Sequence, residues 1–308
     1  EVLIDRLPSP IVGNDTDNEI RINVVGGGAA NTAKCLSRLG HNVQFIDGIS
    51  NDKYGVLAKT ELLEDNVGLD LCLHDSSYPT CLATVSLDEN KKATYDFLID
   101  GTATFDFDRN WLPDFGLHEP SVLHLGTLAT IVEPGSTAIY DWALEGAMKH
   151  NVPIVFDPNV RPSVMPDREL YQKSVDKFAK ISSVIKASDE DIEWLYPESA
   201  PEDVAKRWLE AESTSLVIIT KGENGLMSLT KDGTVISEKP VFEIEVKDTV
   251  GAGDTVGAIV TEGVVKHGIA ELVTKPEYLR DLLIRANRAS GITCSREGCK
   301  PPTQSDLE

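Results

Sequence analysis

Residues 247–257 read Lys-Asp-Thr-Val-Gly-Ala-Gly-Asp-Thr-Val-Gly, and Val256, Ile259, Val260, Gly263 and Val264 fall at the spacing of a buried helix face. The stretch is a loop entering a helix. Gly251, Ala252 and Gly253 leave the backbone bare enough for a ligand to come close. The first N–H groups of a helix point outward unpaired, at the positive end of its dipole, so an anion belongs there. A carboxylate at Asp254 is repelled by such an anion unless its task is to take a proton from a nucleophile that attacks it. A hydroxyl accepting a phosphoryl group meets that requirement, and a helix cap is the competing reading of the same residue.

A second glycine cluster, Gly26-Gly27-Gly28-Ala29-Ala30-Asn31-Thr32-Ala33, runs into a helix with Ala30, Ala33, Leu36 and Leu39 as its apolar stripe and Gly40 as its C-cap. It lacks the GxGxxG spacing of a dinucleotide site, and no GxxxxGK[ST] loop occurs. Asn31, at the helix start, can bond a polar ligand lying against bare backbone. Between the clusters, short apolar runs alternate with amphipathic stretches, the signature of βαβ units and a doubly wound, mostly parallel sheet flanked by helices. Strands are expected over Val2–Ile4, Val43–Ile46, Val122–Leu125, Ile154–Phe156, Val184–Lys186 and Leu216–Thr220. Helices are expected over Thr137–Lys149, Arg168–Lys180, Pro201–Ala211 and Tyr278–Ser290.

One region breaks the alternation. In Cys81–Ile99, Ala83, Val85 and Leu87 share one parity, a polar turn follows, and Ala93, Tyr95, Phe97 and Ile99 share the next, which is a β-hairpin. Such a hairpin either extends a sheet edge or covers a ligand cleft. The domain reading is an α/β core of residues 1–7, 25–77 and 107–308, with residues 8–24 and 78–106 inserted as a small β lid.

The chain has 308 residues, of which 29 are basic and 50 acidic, a net charge of -21 that repels nucleic-acid backbones and anionic lipid surfaces. No apolar run approaches the roughly 20 residues of a membrane span. The five cysteines, Cys35, Cys72, Cys81, Cys294 and Cys299, are scattered without a CxxC pair, which argues against a disulfide framework or zinc site and for a reducing, cytoplasmic setting. The opening EVLIDRLP lacks the basic and long apolar segments of a secretory leader and reads as a chain entered part-way through a strand.

GGGAANTA and DTVGAGDTV, in this order and at this separation, resemble the two signatures of the ribokinase, or PfkB, family of carbohydrate kinases. The resemblance runs through LIDRL at the start, the hairpin, DPNVRP at residues 157–162, KASDEDIEWL at 186–195 and TKGENG at 220–225. Glu1–Asp5, LHLGTLA at 123–129, DPNVRP and the Lys-x-Ser-x-x-Asp pattern are most similar to the fructokinases within it. The resemblance implies a ribokinase-like fold and ATP-dependent phosphorylation of a sugar primary hydroxyl, most similar to D-fructose at its 6-OH, with 2-keto-3-deoxygluconate or ribose as alternatives. A silent sugar-binding protein is the alternative from another class.

Residue by residue, the resemblance makes Asp254 the catalytic base and Gly251, Ala252 and Gly253 the anion hole. It places Asp5, Gly27, Gly28, Asn31 and Arg161 around the sugar, with Tyr95 and Phe97 reaching it from the lid. Lys186, Ser188, Thr220, Gly222, Gly225, Gly253 and Asn287 fall on the nucleotide side. Asp191 replaces the family's frequent Glu and is expected to meet Mg2+ through water, while Asp248 marks a K+ site. Sugar and ATP are the implied partners, and the lid edge allows a monomer or a homodimer. The acidic charge also suits a salt-adapted surface.

Overall fold

The computed structural model describes residues 1–8, 21–87, 93–240 and 244–308, with the backbone alone for 87 and 93–95. In chain order the elements are β1 (Leu3–Pro8), β2 (Arg21–Gly26), α1 (Gly28–Arg38), β3 (Gly48–Ser50), α2 (Lys53–Glu64), β4 (Leu73–Ser76), β5 (Leu82–Leu87) and β6 (Ala93–Leu98). There follow β7 (Leu123–Gly126), α3 (Gly135–His150), β8 (Ile154–Asp157), α4 (Arg168–Ala179), β9 (Val184–Ser188), α5 (Asp189–Leu195), α6 (Pro201–Leu209) and β10 (Leu216–Thr220). The chain closes with β11 (Leu226–Thr230), β12 (Val235–Glu238), α7 (Ala252–Thr274), α8 (Pro276–Cys294) and α9 (Gln304–Leu307).

The main sheet has the order β12-β11-β10-β9-β8-β7, parallel from β7 to β10 and antiparallel at β11 and β12. Its strands bury both faces, so they read as continuous apolar runs rather than alternating ones. Ile154, Phe156, Ile185, Val217 and Ile219 pack on one side with residues of α3, α4, α5 and α6. Val155, Val184, Leu216 and Ile218 pack on the other with α1, α7 and α8. The carboxyl ends of β8, β9 and β10 therefore open between two helical layers, where ligand clefts of α/β sheets lie.

A second sheet of four strands has the order β2-β1-β5-β6. The expected hairpin is present as β5 and β6, paired antiparallel with Ala83 opposite Phe97. Two expectations need correction. Strand β1 pairs with β2 and β5, so residues 3–7, assigned to the core from sequence, belong to the small sheet instead. Asp5 and Arg6, on opposite faces of this strand and both partly buried, suit a small, half-exposed sheet. Val43–Ile46 is no strand beyond one parallel bridge from Gln44 to Gly68. Its backbone bonds go to Gly68, and its side chains line, with Leu123 and Leu125 of β7, a cavity of about 720 Å³. The five cysteines are free thiols. Among the described residues no helix is long and apolar enough to cross a membrane.

Candidate active site

Helix α7 begins as the sequence requires. Gly251, its N-cap, takes φ 77°, a left-handed conformation that costs glycine nothing. The amides of Gly251, Gly253 and Asp254 meet no acceptor among the described residues, as expected for a helix start whose cap has no side chain. Asp254 stands in the first turn, 8% exposed. Asn31 Nδ2 donates to Asp254 Oδ2 at 2.8 Å, and Asn159 Nδ2 approaches Oδ1 at 3.4 Å. Thr32 Oγ1 donates to the Asp254 carbonyl at 3.2 Å. Two amides from separate elements thus hold the carboxylate in one orientation.

Burial pushes the Asp254 carboxyl up to about 6, with Asp157 adding to the rise and Asn31, Lys186 and Arg161 drawing it back. A carboxylate tuned to just below neutrality is ionised at pH 7 yet basic enough to take a proton. The Oδ1 of Asn31 is buried without a hydrogen-bond partner. A buried, unpartnered acceptor beside a base is a place for a hydroxyl donor.

The glycine cluster brings α1 against this carboxylate. A Cβ at Gly28 would lie 2.5 Å from Thr127 Cγ2, 2.9 Å from Asn159 Nδ2 and 3.1 Å from Asp254 Oδ1, so the site closes only because that atom is missing. Gly27, at φ 107°, is the N-cap of α1, and the Glu1 carboxylate fills its start: Oε1 accepts the Gly28 amide at 3.1 Å. Glu1 Oε2 accepts the Thr127 hydroxyl and, at 3.3 Å, the Ala129 amide. Asp5, on β1, is raised to about 6 by burial, with Arg161 opposing.

An unbroken match to the pfkB family carbohydrate kinase model covers residues 13–306. The chain belongs to this family. A fructokinase of Rhizobium leguminosarum bv. trifolii is 36% identical over 260 residues, spanning 84% of this chain and 76% of the relative. A probable fructokinase-4 of Arabidopsis thaliana is 29% identical across 100% of the chain and 94% of its own length. The crystal structure of a fructokinase with bound ATP from Xylella fastidiosa superposes with a TM-score of 0.88 at 22% identity, covering 100% of this chain and 94% of that one. The fold is ribokinase-like, and the protein is a sugar kinase.

Within this carbohydrate kinase, the structure brings Gly27, Gly28, Asn31, Gly251, Ala252, Gly253 and Asp254 into one locus where α1 meets α7. Arg161 lies at its edge, its Nη1 bonded to Asn159 Oδ1 at 2.7 Å and to the carbonyls of Asn159 and Val160, with no carboxylate at ion-pair distance among the described residues. Ser188 and Thr220 end β9 and β10 side by side, and Gly222 and Gly225 bound the short turn after Thr220. Ser188 also caps α5: its Oγ accepts the Asp191 amide at 3.0 Å and its own amide donates to Asp191 Oδ2 at 3.2 Å. Asp191 Oδ1 accepts the Val160 amide at 2.8 Å, and burial with Asp157 nearby pushes its carboxyl up.

Asn287 is buried, and its Nδ2 bonds the Glu238 carbonyl at 3.0 Å, tying α8 to the end of β12. Asp248 accepts the amides of Val250 and Gly298, each at 3.0 Å, and so braces the loop before α7. Phe97 packs partly buried against the main core. The Tyr95 side chain lies outside the described residues, as does most of the 8–24 segment assigned to the lid. Lys186 reaches Asp157 at 2.8 Å from beneath α7. Sequence reasoning gave no site role to Glu1, Thr127, Asn159 or Asp157. Asp157 and Asn159 nonetheless carried a signal as the strand end within DPNVRP, and Thr127 stands inside LHLGTLA.

Proposed function

We propose that the chain is an ATP-dependent fructokinase, moving the γ-phosphoryl group of ATP to the 6-OH of D-fructose. The observation that carries the reading is the buried Asp254 carboxylate, gripped by Asn31 and Asn159 beside the free amides that open α7. As the sugar oxygen bonds the γ-phosphorus, Asp254 takes the hydroxyl proton, and the bond from that phosphorus to the β-phosphate bridging oxygen breaks, releasing ADP. The amides of Gly251, Gly253 and Asp254, with Ala252 between them holding the turn, face the charge that grows on the transferring oxygens. Asn31 Oδ1 accepts from a sugar hydroxyl, Asp5 and Arg161 contact others, and Gly27 and Gly28 let the ring lie against backbone. The choice of fructose rests on the 36% identical relative named a fructokinase.

Ser188, Thr220, Gly222 and Gly225 line the nucleotide side, with Asn287 shaping its adenine end through Glu238. No group of three or more His, Cys, Asp or Glu side chains among the described residues forms a metal cage. The acceptors present suit Mg2+ only as an ion carried on the nucleotide phosphates, with Asp191 meeting its water shell, where it would neutralise phosphate charge. Asp248 accepts one backbone amide on each oxygen, which braces the loop and leaves each oxygen a lone pair for K+. The small sheet, with Phe97 and Tyr95 on its hairpin, closes over the sugar and excludes water as the competing acceptor. Its edges, β2 and β6, are where a second copy would add. A cytoplasmic setting agrees with the free thiols.

The test is ADP release by the purified chain with MgATP and, in turn, D-fructose, D-ribose, 2-keto-3-deoxygluconate and adenosine. Turnover confined to fructose is expected. Turnover on another acceptor removes the substrate assignment, and silence on all four from folded, ATP-binding protein removes the kinase reading.

A further inference from the structure

The face of the main sheet beneath α7 is apolar except at its carboxyl end, where His124, Asp157 and Lys186 stand on the three neighbouring strands β7, β8 and β9. Asp157 and Lys186 are 2% and 3% exposed and form an ion pair at 2.8 Å. The room for this polar layer comes from two glycines four residues apart on α7. A Cβ at Gly253 would lie 3.1 Å from Lys186 Nζ. A Cβ at Gly257 would lie 3.1 Å from His124 Cε1 and 3.9 Å from Asp157 Oδ2. The glycines of this motif therefore serve two sides of the helix: the start of α7 is bare toward the ligand, and its underside is bare toward a buried ion pair.

A buried cation under the positive end of a helix is electrostatically uphill, and so is a buried carboxylate near another carboxylate. Replacing such a pair by apolar residues is often neutral or stabilising, so stability gives little reason for it. Its position gives a better one. We propose that Asp157 and Lys186 are a charge-balanced pair of positioning residues whose place beneath the first turn of α7 sets the proton affinity of Asp254. This rests on Asp254 being the base of the reaction.

Asp157 acts to raise the proton affinity of Asp254 and Lys186 to lower it. Burial alone would push the Lys186 ammonium down, but Asp157 outweighs it, with Asp191 and Asp254 adding, and holds it above the ordinary lysine range. His124 contributes no charge, because burial and Lys186 push its imidazole down to about 3. The other groups facing Asp254 are Asn31 and Thr32 from α1, and Asn159 and Arg161 after β8. Cys35 on α1 and Cys299 after α8 lie within electrostatic reach, both thiols pushed up by burial first and so neutral.

The test reads the Asp254 carboxyl directly, by carbon-13 NMR titration of the unliganded chain, and needs no turnover. In the unaltered protein Asp254 titrates near 6. Asp157→Asn keeps an acceptor for Lys186 but removes its charge, and the Asp254 midpoint falls by about one pH unit. The fraction ionised at pH 5 then rises roughly fivefold. Adding Lys186→Met to Asp157→Asn returns the midpoint to within about 0.3 units, a restoration that a merely structural role does not produce.

An unmoved midpoint in Asp157→Asn, or a double variant that stays shifted, overturns the proposal. Should Asp157→Asn fail to fold, Lys186→Gln, which keeps a donor for Asp157 but removes the positive charge, is read instead: an Asp254 midpoint that does not rise overturns the proposal. Failure of the kinase reading is distinguishable, because it appears as absent ADP release while these titrations stand.

Discussion

Helices α1 and α7 start alike and end up doing opposite things. Each is opened by a glycine N-cap at positive φ, 107° for Gly27 and 77° for Gly251, and neither cap has a side chain to satisfy the first amides. At α1 the chain answers with its own carboxylate, since Glu1 Oε1 takes the Gly28 amide and the Glu1 carbonyl takes that of Ala30. At α7 the Thr249 carbonyl takes the Ala252 amide, and those of Gly251, Gly253 and Asp254 meet no acceptor among the described residues. The difference teaches that a glycine-rich helix start is only a potential anion site, and that the rest of the fold decides whether the anion is a residue or a ligand. Here the filled terminus positions Asn31, and the open one is the proposed seat of the phosphoryl group.

The most direct way to break this contrast is to remove the group that makes the open end reactive. Asp254→Asn keeps the shape and an acceptor for Asn31 while abolishing the base, and sugar-dependent ADP release is expected to drop by about 10² to 10⁴-fold. Retention of more than a tenth of the rate would assign proton removal to another group. Next in size is Gly28→Ala. Its methyl would meet Thr127, Asn159 and Asp254 within 3.1 Å, so the two helix starts must separate. Overpacking of this kind costs about 1–3 kcal/mol, and the sugar kcat/KM should fall roughly tenfold to a hundredfold with little change in KM for ATP.

The pH dependence is smaller and carries a sign. With Asp254 raised to about 6, the base is ionised above that value and protonated below it, so kcat/KM should be flat above pH 7 and lose about tenfold per unit below 6. Stability moves the other way. The folded state binds this proton more tightly than the unfolded state, so the contribution of Asp254 to stability falls as pH rises from about 4 to 6 and then levels. Urea melts of Asp254→Asn should lack that part of the fall.

How much of this was legible depends on whether the reason for a residue is local. The α7 start, the β5–β6 hairpin and helices α3, α4, α6 and α8 follow from spacing and turn chemistry within a dozen residues, and sequence carries that information. Asp254 was legible because a carboxylate beside an anion site contradicts its own neighbourhood. Asn159, Asp157 and Lys186 meet it only through the register of β8 against β9 and the side of the sheet that each residue faces, which no single stretch encodes. Val43–Ile46 shows the converse. An apolar run reads the same whether it pairs in a sheet or walls a cavity. Asn287 was placed near the adenine by position along α8, and its bond to the Glu238 carbonyl is a contact that position alone does not encode.

The smallest expected effect sharpens the contrast most. Glu1→Ala deletes the acceptor shared by the Gly28 amide, the Thr127 hydroxyl and the Ala129 amide, all in a buried or partly buried setting. Leaving such donors unpaired costs about 1–3 kcal/mol, measurable as a lowered urea midpoint. If the two helix starts are the same kind of site, the variant also gains something: the vacated α1 terminus becomes open to a small anion. Added formate should then recover part of the lost stability in Glu1→Ala while leaving Glu1→Gln, which keeps an acceptor in place, nearly unaffected. Equal responses of both variants to formate would mean that α1 offers no anion site once its carboxylate is gone, and that the likeness between the two termini ends at their glycines.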